Sequence, residues 1–468
     1  MSRLTLVLAY AAVQVLLGLW ISRRLRGTKD FFVAGRNLGP GLLFSTLLAA
    51  NIGAGSTVGA AGIAYENGIS AAWWVGSAAL GSFVLAFFIG PRIRRVAATH
   101  DLRTVGDFLE WRFDRRVRGS ISALLWVGTL AILAGQLLGI AFLLDAMVGL
   151  PRAAGCALGG AVVTAYFTAG GLKSSAVVNV VQMIVKMVGF AVALPMALAT
   201  VGGLSGLRAA VPQPELWNPW QNGSAGWMYL AMLTPSFIVS PGILQKVYAA
   251  RDDGAVRTGV GLNALVLLIY APVPAILGLV ALANHPGLAH RDLALPTLLM
   301  HDVPAWVGSL GLAALFSAEV SAADAILFML STSLSKDLYL RFVNPAADDA
   351  QVLRVARYAA LAGGVAGTAL AIVSKTIVDA LAIFYTLLAV SLFVPLMAGL
   401  YDRRASSLSA LSAAAAGVVL VVLVQLSSGQ DRVWGMTPAM FGLIGAGIAF
   451  AVVRVMPAAN KKKGRGPI

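Results

Sequence analysis

The sequence predicts an all-α polytopic membrane protein: about 13 transmembrane helices, built as a 5+5 inverted repeat with one extra N-terminal and two extra C-terminal helices. Three observations predict it. Of 468 residues, 59% are hydrophobic and 12% charged, with mean hydropathy +0.82, whereas soluble chains carry roughly 25% charged residues. Runs of around 20 apolar residues without period-2 alternation select helices over a barrel. Finally, two apolar stretches are interrupted at matching places in the two halves. They read Ala49-Ala50-Asn51-Ile52-Gly53-Ala54-Gly55-Ser56-Thr57-Val58-Gly59 and Thr234-Pro235-Ser236-Phe237-Ile238-Val239-Ser240-Pro241-Gly242. Glycine and proline at mid-membrane unwind a helix and free backbone groups to hold a solute or an ion.

The elements follow in order. A first span near 3–22 is too long an apolar run for a signal-peptide core and is followed by Arg23, Arg24, Arg26 and Lys29, so its N-terminus is expected outside. Five spans near 40–66, 69–91, 119–148, 152–169 and 174–200 form the first half. Five near 226–247, 257–283, 304–333, 354–374 and 377–401 form the second. Two more, near 406–427 and 436–456, close the chain. The expected divisions are 1–39, 40–200, an external loop 201–225, 226–401, 402–457 and a basic tail 458–468. The 92–118 loop is rich in arginine, and the 284–303 loop is expected to hold a short re-entrant helix. Most of the 35 lysines and arginines, including those of the Lys461-Lys462-Lys463-Gly464-Arg465 tail, fall on one side. That is the positive-inside rule. It puts the C-terminus in the cytoplasm of an inner-membrane protein and reads the net charge of +15 as topology, with no nucleic-acid partner. The single cysteine, Cys156, lies in an apolar span and rules out an intrachain disulfide.

Several motifs in order make the chain similar to the sodium:solute symporter family, which has the LeuT-like architecture. They are Asp30-Phe31-Phe32-Val33-Ala34-Gly35-Arg36, the break Asn51-Ile52-Gly53-Ala54-Gly55-Ser56, and Tyr166-Phe167-Thr168-Ala169-Gly170-Gly171-Leu172 with Gln182. Further on come Gln245-Lys246-Val247-Tyr248-Ala249-Ala250-Arg251 and Ser321-Ala322-Ala323-Asp324, then Ser331-Thr332-Ser333 and Lys336-Asp337-Leu338-Tyr339. The resemblance covers roughly residues 1–405 and implies alternating-access symport of a small polar solute with a cation, sodium first and proton as the alternative. It implies no cofactor and no catalysis. Its sodium ligands, carried over by position, fall on the carbonyls of Ala49, Ile52 and Ala318 and the hydroxyl of Ser321.

The chain departs from that pattern in one neighbourhood. Ala322 stands where the family has a second hydroxyl, and Val178-Asn179 where it has a Thr-Asp pair. Lys186 then enters the middle of the same span, where charges are expensive and usually functional. Asn179, Gln182 and Lys186 form one polar stripe at i, i+3 and i+7. The lysine is expected to pair with Asp324, one turn from Ser321, or with Glu319. Its ammonium then partly replaces a cation, or the pair is a structural lock between helices.

The solute is expected between the breaks, near Gly55, Ser56, Thr57, Thr234, Ser236 and Ser240, with Gln136, Tyr385 and Thr386 as further polar contacts and Phe237, Trp73 and Trp74 as lining or cap. His285, His290 and His301 share a loop without metal spacing and read as solvated. A membrane enzyme is the rival class, but the chain has no H-E-x-x-H, no G-x-S-x-G and no histidine well inside a span.

Overall fold

The computed structural model describes residue 13 and residues 36–170, 172–220, 225–428 and 433–456. The expected span near 3–22, residue 13 apart, and the 458–468 tail lie outside them. Among the described residues ten helices are long and apolar enough to cross a membrane, with Pro40–Asn51 and Arg152–Ala165 as shorter apolar ones.

The first broken span is α1 (Pro40–Asn51) and α2 (Val58–Asn67). Pro40 starts α1, where a missing N–H costs nothing. The span α3 (Ala72–Val84) runs on through a wide π-helical turn into Gly90–Thr99. A short helix α4 (Val105–Arg112) follows, closed by a reciprocal cap: Asp107 N donates to Thr104 Oγ1 and Thr104 N to Asp107 Oδ2. Then come α5 (Arg115–Val148), started by Asp114 and ended at Gly149 with φ +65°, α6 (Arg152–Gly170) and α7 (Leu172–Thr200).

The second half repeats the pattern. It opens with α8 (Ala225–Val239) and α9 (Pro241–Tyr248), continues through α10 (Asp253–Tyr270) and α11 (Pro272–Asn284), and folds a loop helix α12 (Ala294–His301). Next are α13 (Ala305–Thr332), extended by a π-helical segment to Val343, then α14 (Asp349–Val373) and α15 (Ile377–Leu388), which continues to Tyr401. A closing hairpin, α16 (Ser407–Ser428) and α17 (Pro438–Val455), packs on itself. The interior is one apolar core in which α1 packs against α7, α10 and α13, and α7 lies along α13.

Three expectations need correction. The second interruption is confined to Ser240–Pro241: α8 is helical through Pro235 to Val239, and only Ser240 leaves the helix, at ψ 122°. Ser236 Oγ ties α8 to α15, contacting Met232 O at 2.6 Å and Tyr385 O at 2.7 Å. The 304–333 span does not stop at Ser333. Two of the three loop histidines are packed and not solvated: His285 Nε2 lies 2.8 Å from Asp302 Oδ1, and His290 stacks on Phe142 at 4.6 Å, while His301 is exposed as expected. The loop folds back over α2 and α5, and Tyr65 Oη donates to His285 O at 2.7 Å.

Candidate functional site

The first break is built by swapping hydrogen bonds. The Gly53 N–H, which a continuous helix would offer to Ala49 O, donates instead to Ser56 Oγ at 3.0 Å. The Ser56 N–H, due to Ile52 O, donates to Gly53 O at 3.0 Å. Two carbonyls, Ala49 O and Ile52 O, are thus turned loose in a dry interior. Gln136 on α5 braces the break by accepting from Ala54 N at 2.8 Å. The fit is close: a Cβ on Gly53 would lie 2.5 Å from Gln136 Oε1 and 2.6 Å from Ala322 Cβ.

The freed carbonyls meet Lys186. Its Nζ donates to Ala49 O at 2.7 Å, Ile52 O at 3.1 Å and Ser321 Oγ at 2.8 Å, and the residue is 1% exposed. Ser321 Oγ lies 2.8 Å from Ala49 O and 3.1 Å from Ala318 O, as donor. Three of the four residues carried over as sodium ligands therefore meet at one ammonium nitrogen, and the fourth, Ala318, reaches it only through Ser321 Oγ. Neither carboxylate makes an ion pair with Lys186 among the described residues; Glu319 is the acidic group whose field acts on it. Glu319 is fully buried, accepts from Thr57 Oγ1 at 3.2 Å through Oε1, and its Oε2 has no hydrogen-bond partner among the described residues. Asp324 acts on a second lysine, Lys246, whose Nζ donates to Thr46 O at 2.7 Å. Asn179 Nδ2 donates to Thr46 Oγ1 at 3.4 Å, and Gln182 O accepts from Ser317 Oγ at 3.2 Å. The stripe on α7 thus faces α1 and α13.

Beside this point lies a cavity of about 90 Å³ between the two breaks. Of the expected solute contacts, Gly55, Ser56, Gln136, Ser240 and Tyr385 line it, as do the expected aromatics Phe237 and Trp74. Phe237 stacks on Tyr385 at 5.5 Å and Trp74 meets Tyr385 edge-on at 6.0 Å. Four expected contacts lie elsewhere because their hydroxyls serve the framework. Thr57 binds Glu319, Thr234 donates to Ser77 O at 3.1 Å, Ser236 bridges α8 and α15, and Thr386 faces Met232 Sδ at 3.6 Å. Trp73 stacks on Trp220 at 4.6 Å, away from the lining. Sequence reading missed Lys246 and Asn51 as lining residues. The sequence does carry a signal for Lys246, a lysine inside an apolar span, but its place in a family motif hides it.

At the arginine-rich end a buried ion network ties α4 to the extension of α13. Arg118 reaches Asp107 at 3.1 Å, Glu110 at 2.9 Å and Asp337 at 2.8 Å, while Thr104 Oγ1 donates to Asp337 at 2.6 Å. Between it and the central cavity is a smaller void of about 30 Å³ that shares Gln245 and Met329 with the cavity.

The family model for the sodium:solute symporter family matches residues 31–417. The chain belongs to that family. It is 28% identical over 457 residues to a sodium/pantothenate symporter of Escherichia coli, covering 92% of this chain and 91% of the relative. It is 25% identical over 401 residues to a sodium/glucose cotransporter of Vibrio parahaemolyticus, covering 75% and 71%. A Na⁺-coupled sialic acid symporter, solved substrate-bound and outward-open, superposes with a TM-score of 0.80 at 19% identity over 98% of this chain and 99% of that one. At that identity the likeness is one of fold. The chain is an integral membrane protein of a symporter family with the LeuT-like architecture.

Proposed function

We propose that the chain carries a small polar solute across the inner membrane by alternating access, with the solute held in the cavity between Ser56 and Ser240. The observation that carries this reading is the cavity itself. It is bounded by both broken helices, supplied with amides from Asn51, Gln136 and Asn179, and walled by Trp74, Phe237 and Tyr385. Lys246 is its charged lining residue, and no carboxylate lines it among the described residues. This chemistry favours a neutral or anionic solute with an apolar portion over a cationic one. The relatives' names span pantothenate, glucose and choline, so this preference rests on the lining and not on them.

Alternating access would close one end of the cavity while opening the other, and the Arg118 network is the natural closure at the arginine-rich end. By the positive-inside rule that end is cytoplasmic. A cysteine placed at exposed Glu215 should react with an impermeant reagent from outside, and one at exposed Arg403 only after permeabilisation. Family membership supports sodium as the coupling ion. One observation favours a second reading, a proton-coupled or sodium-independent carrier: Lys186 stands at the point where three of the expected sodium ligands meet.

The test is a thermal-shift screen of the purified protein against small carboxylates, sugars, neutral amino acids and quaternary amines, followed by uptake of each stabilising compound into proteoliposomes. A bound ligand raises the melting temperature by mass action. Stabilisation only by cations, or a stabilising compound that is never taken up, would refute the reading.

A further inference from the structure

The four oxygens that the family resemblance assigns to sodium already have partners: Ala318 O accepts from Ser321 Oγ, and the other three face Lys186. An ammonium carries three N–H donors, and those of Lys186 are matched one to one by Ala49 O, Ile52 O and Ser321 Oγ at 2.7–3.1 Å. A sodium ion held by the same three oxygens would overlap Nζ, which lies 2.7–3.1 Å from all of them.

The lysine is also held in place. Helix α7, which carries it, lies along α13, with Ser317 Oγ donating to Gln182 O at 3.2 Å. A Cβ added at Gly189 would come within 2.5 Å of Ala314 Cβ, so the two backbones are already in near contact. Nor is there charge to spare for a second cation. Lys246 donates to Thr46 O one turn back along α1, so two ammonium groups already crown the carbonyl end of that helix. Glu319 and Asp324 act one on each lysine. A free sodium added here would meet two like charges within one turn of α1. The two local departures fit the same account. Ala322 offers no further oxygen, and Asn179 in place of a carboxylate avoids an excess negative charge beside the lysine.

We propose that the ammonium of Lys186 is the resident cation of this site: it replaces a free sodium between α1 and α13, and the carrier binds no sodium there. The inference rests on the solute-carrier reading for its meaning, since it removes a sodium requirement at that position from the transport cycle. It assigns a specificity-determining role to a residue that the motifs of the family do not include.

The test reads sodium without any solute. The melting temperature of the purified protein is measured in sodium chloride and in choline chloride of equal ionic strength, for wild type, Lys186→Ala and Ser321→Ala. The wild type is expected to show no sodium-specific rise. Lys186→Ala, with the carbonyls and hydroxyl exposed to a vacated space, is expected to gain one of about 1–2 °C at sodium roughly tenfold above its dissociation constant. A sodium-specific rise in the wild type that Ser321→Ala abolishes would overturn the proposal, because it would put sodium on the oxygens assigned to the lysine. A wild-type rise that survives Ser321→Ala would place sodium elsewhere and leave Lys186 as the occupant. If Lys186→Ala does not fold, the wild-type and Ser321→Ala measurements decide the matter by themselves. Failure to find a transported solute would leave this result untouched, so the two readings fall separately.

Discussion

Replacing Lys186 with methionine keeps the length of the side chain and removes its charge and its three donors. Ile52 O, 3.1 Å from Nζ, then loses its donor, while Ala49 O keeps Ser321 Oγ at 2.8 Å. One unsatisfied buried carbonyl costs about 1–3 kcal/mol. Glu319, fully buried and without a partner on Oε2 among the described residues, loses the cation that acts on it. Breaking a buried charge arrangement from one side costs about 3–5 kcal/mol in all. For a 468-residue chain, an unfolding entropy of roughly 2.1 cal/mol/K per residue makes this about 3–5 °C in melting temperature. Glu319→Gln keeps an acceptor for Thr57 Oγ1 and removes the stranded charge. Lys186→Met/Glu319→Gln is therefore expected to recover more than half of the loss, a coupling of about 2–3 kcal/mol. The assay is a double-mutant cycle on melting temperature in one detergent. Additivity of the two single effects to within about 0.5 kcal/mol would refute the reasoning, since it would mean that the two charges do not sense each other.

Gly53→Ala should abolish uptake and lower stability by about 1–3 kcal/mol, because the new Cβ would lie 2.5 Å from Gln136 Oε1 and 2.6 Å from Ala322 Cβ; thermal melts with uptake check it, and wild-type values for both would remove the brace. Lys246→Met should weaken an anionic solute about tenfold, roughly 1.4 kcal/mol, and leave neutral solutes within about twofold, read as KM in proteoliposomes. Arg118→Ala strips Asp107, Glu110 and Asp337 of a shared partner; in a Cys156→Ser background it should speed labelling of Thr332→Cys, which lines the smaller void, by at least about tenfold, the loss of a buried partner being worth about 3–5 kcal/mol. In that network burial pushes the Asp107 carboxyl up, but the Lys336 ammonium and Arg118 guanidinium more than offset this and hold it below its ordinary value. A carboxyl so lowered adds stability above its unfolded pKa and loses it as pH falls through the lower folded one, so Asp107 should cost the protein stability only below about pH 4, read from melts across pH.

Among the described residues the sequence by itself determined the spans, their order and the first interruption, and it marked the place of the second, which it drew too long. Each of these is local: a run of apolar residues must satisfy its own backbone in lipid, and glycine or proline within it announces where that fails. It also singled out Lys186, since a charge in mid-span is conspicuous without any fold. Which partner that lysine takes was decided only by tertiary structure. Asp324 lies nearer Ser321 along the face of α13, yet the lysine binds carbonyls of α1, because a carbonyl's availability depends on hydrogen bonds Gly53 and Ser56 make elsewhere. The same holds for the hydroxyls. Thr57, Thr234 and Ser236 read as solute contacts from their position near the breaks, but each is spent on a framework group from a distant segment. Pattern along the chain tells which groups are polar and where they lie in depth; which of them remain open to a ligand depends on what the other helices have already satisfied.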